Sequence, residues 1–145
     1  MVTRARMHLP LVVGFLAVAL ACAPDSVSRN SLAATGRWTL RSYNGSALPA
    51  VALNNGTTTV EVLSGTLDLS SDGLYSLATS YRMTQNGVVT LTTDPGSGNW
   101  VDRGGQITLS RGNGVADAAA VYTGDRMTLY APADNGGLLQ IVYMR

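Results

Sequence analysis

The side chains that most often do chemistry are scarce in this sequence, and where they fall decides more than how many there are. The 145-residue chain has one histidine, His8, one cysteine, Cys22, and no lysine. Both lie within the first 22 residues, ahead of the part that reads as a folded domain. Residues 23–145 therefore lack the parts for a Ser-His-Asp triad, a Cys-His pair, a Ser-Lys dyad, Schiff-base chemistry or a zinc site built on imidazole or thiolate. Carboxylates remain, and a two-carboxylate hydrolase is the one enzymatic reading left with standard parts. Glu61 is its natural centre, because it shares strand parity with Leu63, Leu67 and Leu69, and an inward carboxyl has a raised pKa. Its partner would have to be Asp72, Asp94, Asp102, Asp125 or Asp134, all of which read as lying in or beside turns. A solvated rim, or a bulge at Gly65, would in turn take Glu61 out of the interior. The run Asp94-Pro95-Gly96-Ser97-Gly98-Asn99 lacks the alternating acidic ligands of a calcium loop and the helix that follows a phosphate loop, so it reads as a turn. The expectation is a protein that is not an enzyme, with no cofactor and no metal.

What the residues offer instead is a wall. Tyr75, Leu77, Thr79, Tyr81 and Met83 alternate with Ser76, Ser80 and Arg82, which marks one face of a strand as apolar. Ala116, Ala118, Ala120 and Tyr122 form a second alternating set, small except for its aromatic end, and would leave space if it faced inward. Glu61, Tyr75, Leu77, Tyr81, Met83 and Tyr122 are thus the candidate ligand-binding residues, and a small apolar molecule is the candidate ligand. The same residues would serve equally well as ordinary core and rim, and both readings stay open here.

These side chains have to be positioned by strands. From about Thr35 onward, short runs rich in Val, Leu, Thr and Tyr are separated by Asn44-Gly45, Asn55-Gly56, Asp72-Gly73, Asn86-Gly87, Gly104-Gly105, Asn113-Gly114, Gly124-Asp125 and Asn135-Gly136, residue pairs that tolerate positive φ in tight hairpins. The spacing predicts strands at 36–43, 58–70, 73–84, 88–93, 98–103, 106–111, 115–123, 125–131 and 138–144. The Ala-rich stretch near 118 is too short, and too closely bounded by turns, to be read as a helix. Sequential strands joined by tight turns favour an antiparallel meander, and closure removes exposed edges. The fold class is all-β, a single up-and-down barrel of about eight strands.

Ahead of the domain, Arg4 and Arg6 precede an apolar run from Leu11 to Leu20, and Ala19-Leu20-Ala21 supplies small residues for cleavage, so residues 1–21 read as a signal peptide. The run is too short to span a bilayer comfortably. Ala19-Leu20-Ala21-Cys22 resembles the lipobox of bacterial lipoproteins, which implies a lipid on Cys22 and a membrane partner through that anchor; a free N-terminal thiol is the other outcome. Residues 22–34 then form the lipidated cysteine and a polar, Ser-rich tether, and residues 35–145 one barrel domain. With no second cysteine there is no disulfide, so the apolar core has to hold the domain together. The formal net charge is +1 and no basic run is present, which argues against nucleic acid. Ala23 after the cysteine resembles the default for lipoproteins of the outer membrane, so the expected location is exported and lipid-anchored to the cell envelope, facing the periplasm.

Gly36-Arg37-Trp38-Thr39-Leu40, at the start of the first strand, resembles the Gly-x-Trp opening of the lipocalin and wider calycin families. The order continues with Asn44-Gly45-x-x-Leu48-Pro49, Gly65-Thr66-Leu67-x-Leu69 and Asp72-Gly73-x-Tyr75, and is similar to small bacterial lipocalin-like lipoproteins. The resemblance implies an eight-stranded barrel that binds a small ligand. It also implies that Trp38 sits at the barrel base and that Arg145 packs across it in a cation–π contact of order 1 kcal/mol. The alternative is a filled barrel acting as a structural or inhibitor-like envelope protein, with an envelope protein as its partner and its loops carrying function.

Overall fold

The computed structural model describes residues 32–112, 116–133 and 136–145. The predicted signal peptide, Cys22, the predicted tether through Ser31, the predicted turn residues Asn113, Gly114 and Asn135, the predicted strand residue Val115, and Asp134 lie outside the described residues. The remainder forms strands and turns, with no helix among the described residues. In chain order the strands are β1 (Gly36–Tyr43), β2 (Ser46–Ala47), β3 (Ala50–Asn54), β4 (Thr58–Leu69), β5 (Leu74–Gln85), β6 (Val88–Asp102), β7 (Gln106–Ser110), β8 (Ala118–Thr123), β9 (Arg126–Pro132) and β10 (Leu138–Met144).

All neighbouring strands are antiparallel, in the order β2-β1-β10-β9-β8-β7-β6-β5-β4-β3, and β1 closes the ring on β4 through Gly36↔Leu69 to Thr39↔Thr66. The result is a closed up-and-down barrel of eight strands, β1 and β4 to β10. The short β2 and β3 extend it where β1 and β4 diverge, pairing with the last residues of β1 and the first half of β4 respectively. At two hairpins the turn chemistry is explicit: Asn44 and Asn86 both have φ of 49°, and Gly45 and Gly87 follow at 82° and 79°. Two consecutive positive φ values suit the right-handed twist of the flanking strands, and Asn-Gly adopts them at low cost.

The structure corrects the expected strand map in two places. The runs 88–93 and 98–103 are one 15-residue strand, and Asp94-Pro95-Gly96-Ser97-Gly98-Asn99 passes through it as strand rather than turn. Asp94 therefore lies mid-strand, opposite Thr79. Pro95 is tolerated because, among the described residues, β6 has a strand partner on only one side at that height, so its missing N–H interrupts no second ladder. β2 and β3 are additional strands, too short and too Gly- and Pro-rich nearby to show as alternation.

One end of the barrel is filled. Trp38, Trp100, Leu67, Ile107 and Met127 are fully buried there, with Leu69 and Ala120 beside them. Ala34, which the sequence places in the tether, is also fully buried. Both indoles satisfy their N–H on backbone: Trp38 Nε1 donates to Ala34 O at 2.8 Å, and Trp100 Nε1 donates to Ser70 O at 2.8 Å. Arg145 Cζ lies 4.2 Å from the centroid of the Trp38 ring, the contact that the lipocalin resemblance implies. Its guanidinium also donates to Ala33 O at 2.7 Å, Thr35 O at 3.1 Å and Gly124 O at 3.3 Å, tying the entering chain to the floor. Arg145→Gln is expected to lower stability by about 1.5 kcal/mol, from the lost ring contact and charged hydrogen bonds, and Tm by about 5 °C. A thermal melt beside Arg103→Gln, an exposed turn position, checks this.

Candidate functional site

The other end is hollow. Above the floor, strands β1, β5, β6, β7, β8, β9 and β10 surround a cavity of about 380 Å³. Its wall is mixed. Leu40, Leu77, Leu109, Leu129, Ala118, Ala131 and Ile141 supply apolar surface, and four tyrosines, Tyr43, Tyr75, Tyr81 and Tyr143, reach the same space together with Thr79 and Asp94.

Strand register explains who faces in. On β5, Tyr75, Leu77, Thr79 and Tyr81 stand opposite Gly98, Gly96, Asp94 and Thr92 of β6, so these residues share the inner face. Gly96 matters for volume, because it puts bare backbone at the cavity wall opposite Leu77, while Gly98 lets Tyr75 and the Ser110 carbonyl pack against the strand. Across the barrel, Ala118 and Ala131 keep the wall thin in the same way. A β-bulge between Leu40 and Ser42 turns Tyr43 inward, in register with Ile141.

Of the residues singled out in the sequence, Tyr75, Leu77 and Tyr81 line the cavity. Three do not, for identifiable reasons. Glu61 is on the outer face, because a bulge between Val62 and Ser64, not at Gly65, shifts the parity between it and Leu67. There it stands opposite Arg82, which donates from Nε to Glu61 Oε2 at 2.7 Å, and this hydrogen bond holds the Glu61 carboxyl below its ordinary pKa. That is the opposite of what an acid catalyst needs. Leu63, expected inward, falls in the same bulge. Tyr122 lies at the filled end, where its hydroxyl donates to Asp102 Oδ2 at 2.9 Å. The buried Asp102 also accepts from the Gly105 N–H at 2.8 Å, so the pair is a structural clasp closing the turn into β7. Met83 faces the same side as Tyr81 but sits higher, in a shallower depression with Val60, Thr90, Thr92 and Asp94.

The sequence missed Tyr43, Tyr143, Asp94, Arg111 and Asp117. Tyr143 was legible, since it shares parity with Ile141; Tyr43 was not, because the bulge inverts its parity. Arg111 and Asp117 flank the side of the cavity between β6 and β8. The Arg111 backbone N–H donates to Asp117 Oδ2 at 2.6 Å, and the two side chains form a loose pair at 3.9 Å. Among the described residues no three acidic, histidine or cysteine side chains converge as a metal site requires.

Burial raises the pKa of the Tyr75, Tyr81 and Tyr143 phenols above the ordinary 10.0, with Asp117 adding to the effect at Tyr75, Asp94 at Tyr81 and Tyr81 at Tyr143. The shift is largest at Tyr143, which is 2% exposed. Below pH 10 these phenols are neutral in both folded and unfolded chains and the fold is fully stable with respect to them. Above it the unfolded chain ionises first, so stability falls as pH rises. For Tyr143 the expected slope is up to about 1.4 kcal/mol per pH unit, and Tyr143→Phe should flatten the alkaline limb of a denaturation series by roughly that much.

Comparison with known proteins gives no match: no family model fits the chain, and neither curated proteins nor solved structures resemble it significantly.

Proposed function

We propose that this chain is a non-catalytic carrier of the cell envelope, a lipocalin-like lipoprotein anchored through Cys22, whose barrel holds one small, largely apolar molecule bearing a hydroxyl or carbonyl group. The observation that carries the reading is the division of the barrel into a solid floor and a hollow upper half. A protein needing only a rigid scaffold has no use for the hollow, since filling it would add stability. Its volume of about 380 Å³ falls in the range of roughly 300–1,000 Å³ typical of small-molecule sites. Its chemistry fits as well: leucines and alanines accommodate the apolar body, while the neutral phenols of Tyr75, Tyr81 and Tyr143 give and accept hydrogen bonds at fixed points. The Gly36-x-Trp38 opening, the eight-stranded up-and-down order and Arg145 over Trp38 support placing it beside the lipocalins.

The test is recovery. The full chain, as its expression host matures it, is incubated with an envelope lipid extract, reisolated, and extracted with organic solvent. The reading expects one class of apolar compound at about one molecule per chain, whereas recovery of a random sample of the extract at substoichiometric amounts would count against a dedicated site.

A further inference from the structure

β6 is 15 residues long, yet only Asn99–Asp102 pair with β7. From Val88 to Gly98 no strand among the described residues covers its second edge. Alternate residues along that edge aim their N–H and C=O groups away from β5, and so towards solvent. Natural edges of this length are blunted by charge, by shortness or by a covering loop. Here Val88-Val89-Thr90-Leu91-Thr92-Thr93 carries no charge and consists of good strand formers, with Val88, Val89 and Leu91 exposed to 66%, 58% and 69%.

We propose that this edge is a self-association site, at which the β6 strand of a second copy of the chain adds antiparallel across a two-fold axis at Leu91. Three features select a second copy. The usable edge runs from the Asn86-Gly87 turn to Pro95, which has no N–H to offer, and the midpoint of 88–94 is residue 91. Pairing Leu91 with Leu91 matches Val89 to Thr93 and Val88 to Asp94, uses the whole stretch, and keeps each residue on its own face of a continuous sheet. The third feature is charge. The two Asp94 carboxylates end up roughly 20 Å apart, beyond the screening distance in physiological salt. Arg82, beside Leu91 in register, is already engaged by Glu61 at 2.7 Å. Nothing on the edge repels its own copy. A seven-residue strand is a small interface, so the dimer is reversible, with Kd in the micromolar range or weaker.

The test is sedimentation velocity of the full chain as a function of concentration, with Leu91→Lys alongside. The substitution is at an exposed position and places two like charges on the axis. Wild type is expected to move towards twice its monomer mass as concentration rises, and Leu91→Lys to stay monomeric, its association weakened about tenfold or more. Leu91→Cys should form a disulfide-linked dimer on mild oxidation, well above wild type, which reports the background from Cys22, and above Thr123→Cys at the opposite end of the barrel. Wild type that stays monomeric to about 100 µM would overturn the proposal, as would Leu91→Cys cross-linking no better than Thr123→Cys. Preferential uptake of an unrelated extended peptide by a monomeric chain would overturn it too, assigning the edge to a different partner.

Discussion

Gly98→Ala is expected to cost about 3 kcal/mol or more, an unusual penalty for a single methyl, and Gly98→Val to prevent folding. A Cβ at residue 98 would lie 2.2 Å from the Ser110 carbonyl oxygen and 2.8 Å from Tyr75 Cε1. The oxygen belongs to backbone, so no rotamer change relieves it. β6 and β7 would have to part where only four residue pairs hold them together. Overpacking in a well-packed core usually costs 1–3 kcal/mol, and here backbone must move as well. Gly96→Ala is the matched control. It is two residues away on the same face of the same strand, but its Cβ would meet only Leu77, at 3.5 and 3.6 Å. Urea midpoints should separate the two variants widely; similar midpoints would mean that β6 and β7 are not in such close contact at Gly98.

Trp38→Ala should be the most damaging truncation in the domain, at about 3–5 kcal/mol. The indole is fully buried, it plugs the filled end, and its loss leaves both a cavity and an unpaired Ala34 carbonyl. It also removes the ring under Arg145, so Arg145→Gln should cost far less in the Trp38→Ala background than in wild type. With total stabilities commonly about 5–15 kcal/mol, the single variant is expected to be marginal at 37 °C. Trp38→Phe, which keeps most of the apolar bulk, should lose about half as much.

These effects concentrate at the end of the barrel that local sequence describes best. Gly36-Arg37-Trp38 and Arg145 were legible only through the resemblance to the Gly-x-Trp opening of the lipocalins, whereas the Asn-Gly dipeptides mark two of the hairpins directly. The hollow end was harder to read. Two bulges, at Leu40–Ser42 and Val62–Ser64, reverse strand parity midway, which moves Tyr43 in and Glu61 out. Single-strand alternation carries no signal for either, because a bulge depends on how the neighbouring strand pairs. Asp94-Pro95-Gly96 has the composition of a turn and is strand only because the whole of β5, Leu74 to Gln85, pairs with β6 as far as Asn99. Long-range pairing overrode local preference there, and hid an inward carboxylate at the cavity wall. Which way and at which end of the barrel Tyr122 lies depends on closure, and closure gave its hydroxyl to Asp102.

The hollow itself is the centre of the account, and filling it is the most direct challenge. Ala118 lines the cavity at mid-wall, so Ala118→Trp would occupy much of the 380 Å³ from a position that tolerates partial exposure. The measurement is native mass spectrometry of both full chains after exposure to the same lipid extract, each compared with its denatured mass. A carrier barrel predicts an added mass of one small molecule on wild type that is lost on denaturation and absent from Ala118→Trp, with both chains folded by circular dichroism. A bare wild-type mass, or an added mass that Ala118→Trp retains, would contradict ligand binding in this cavity.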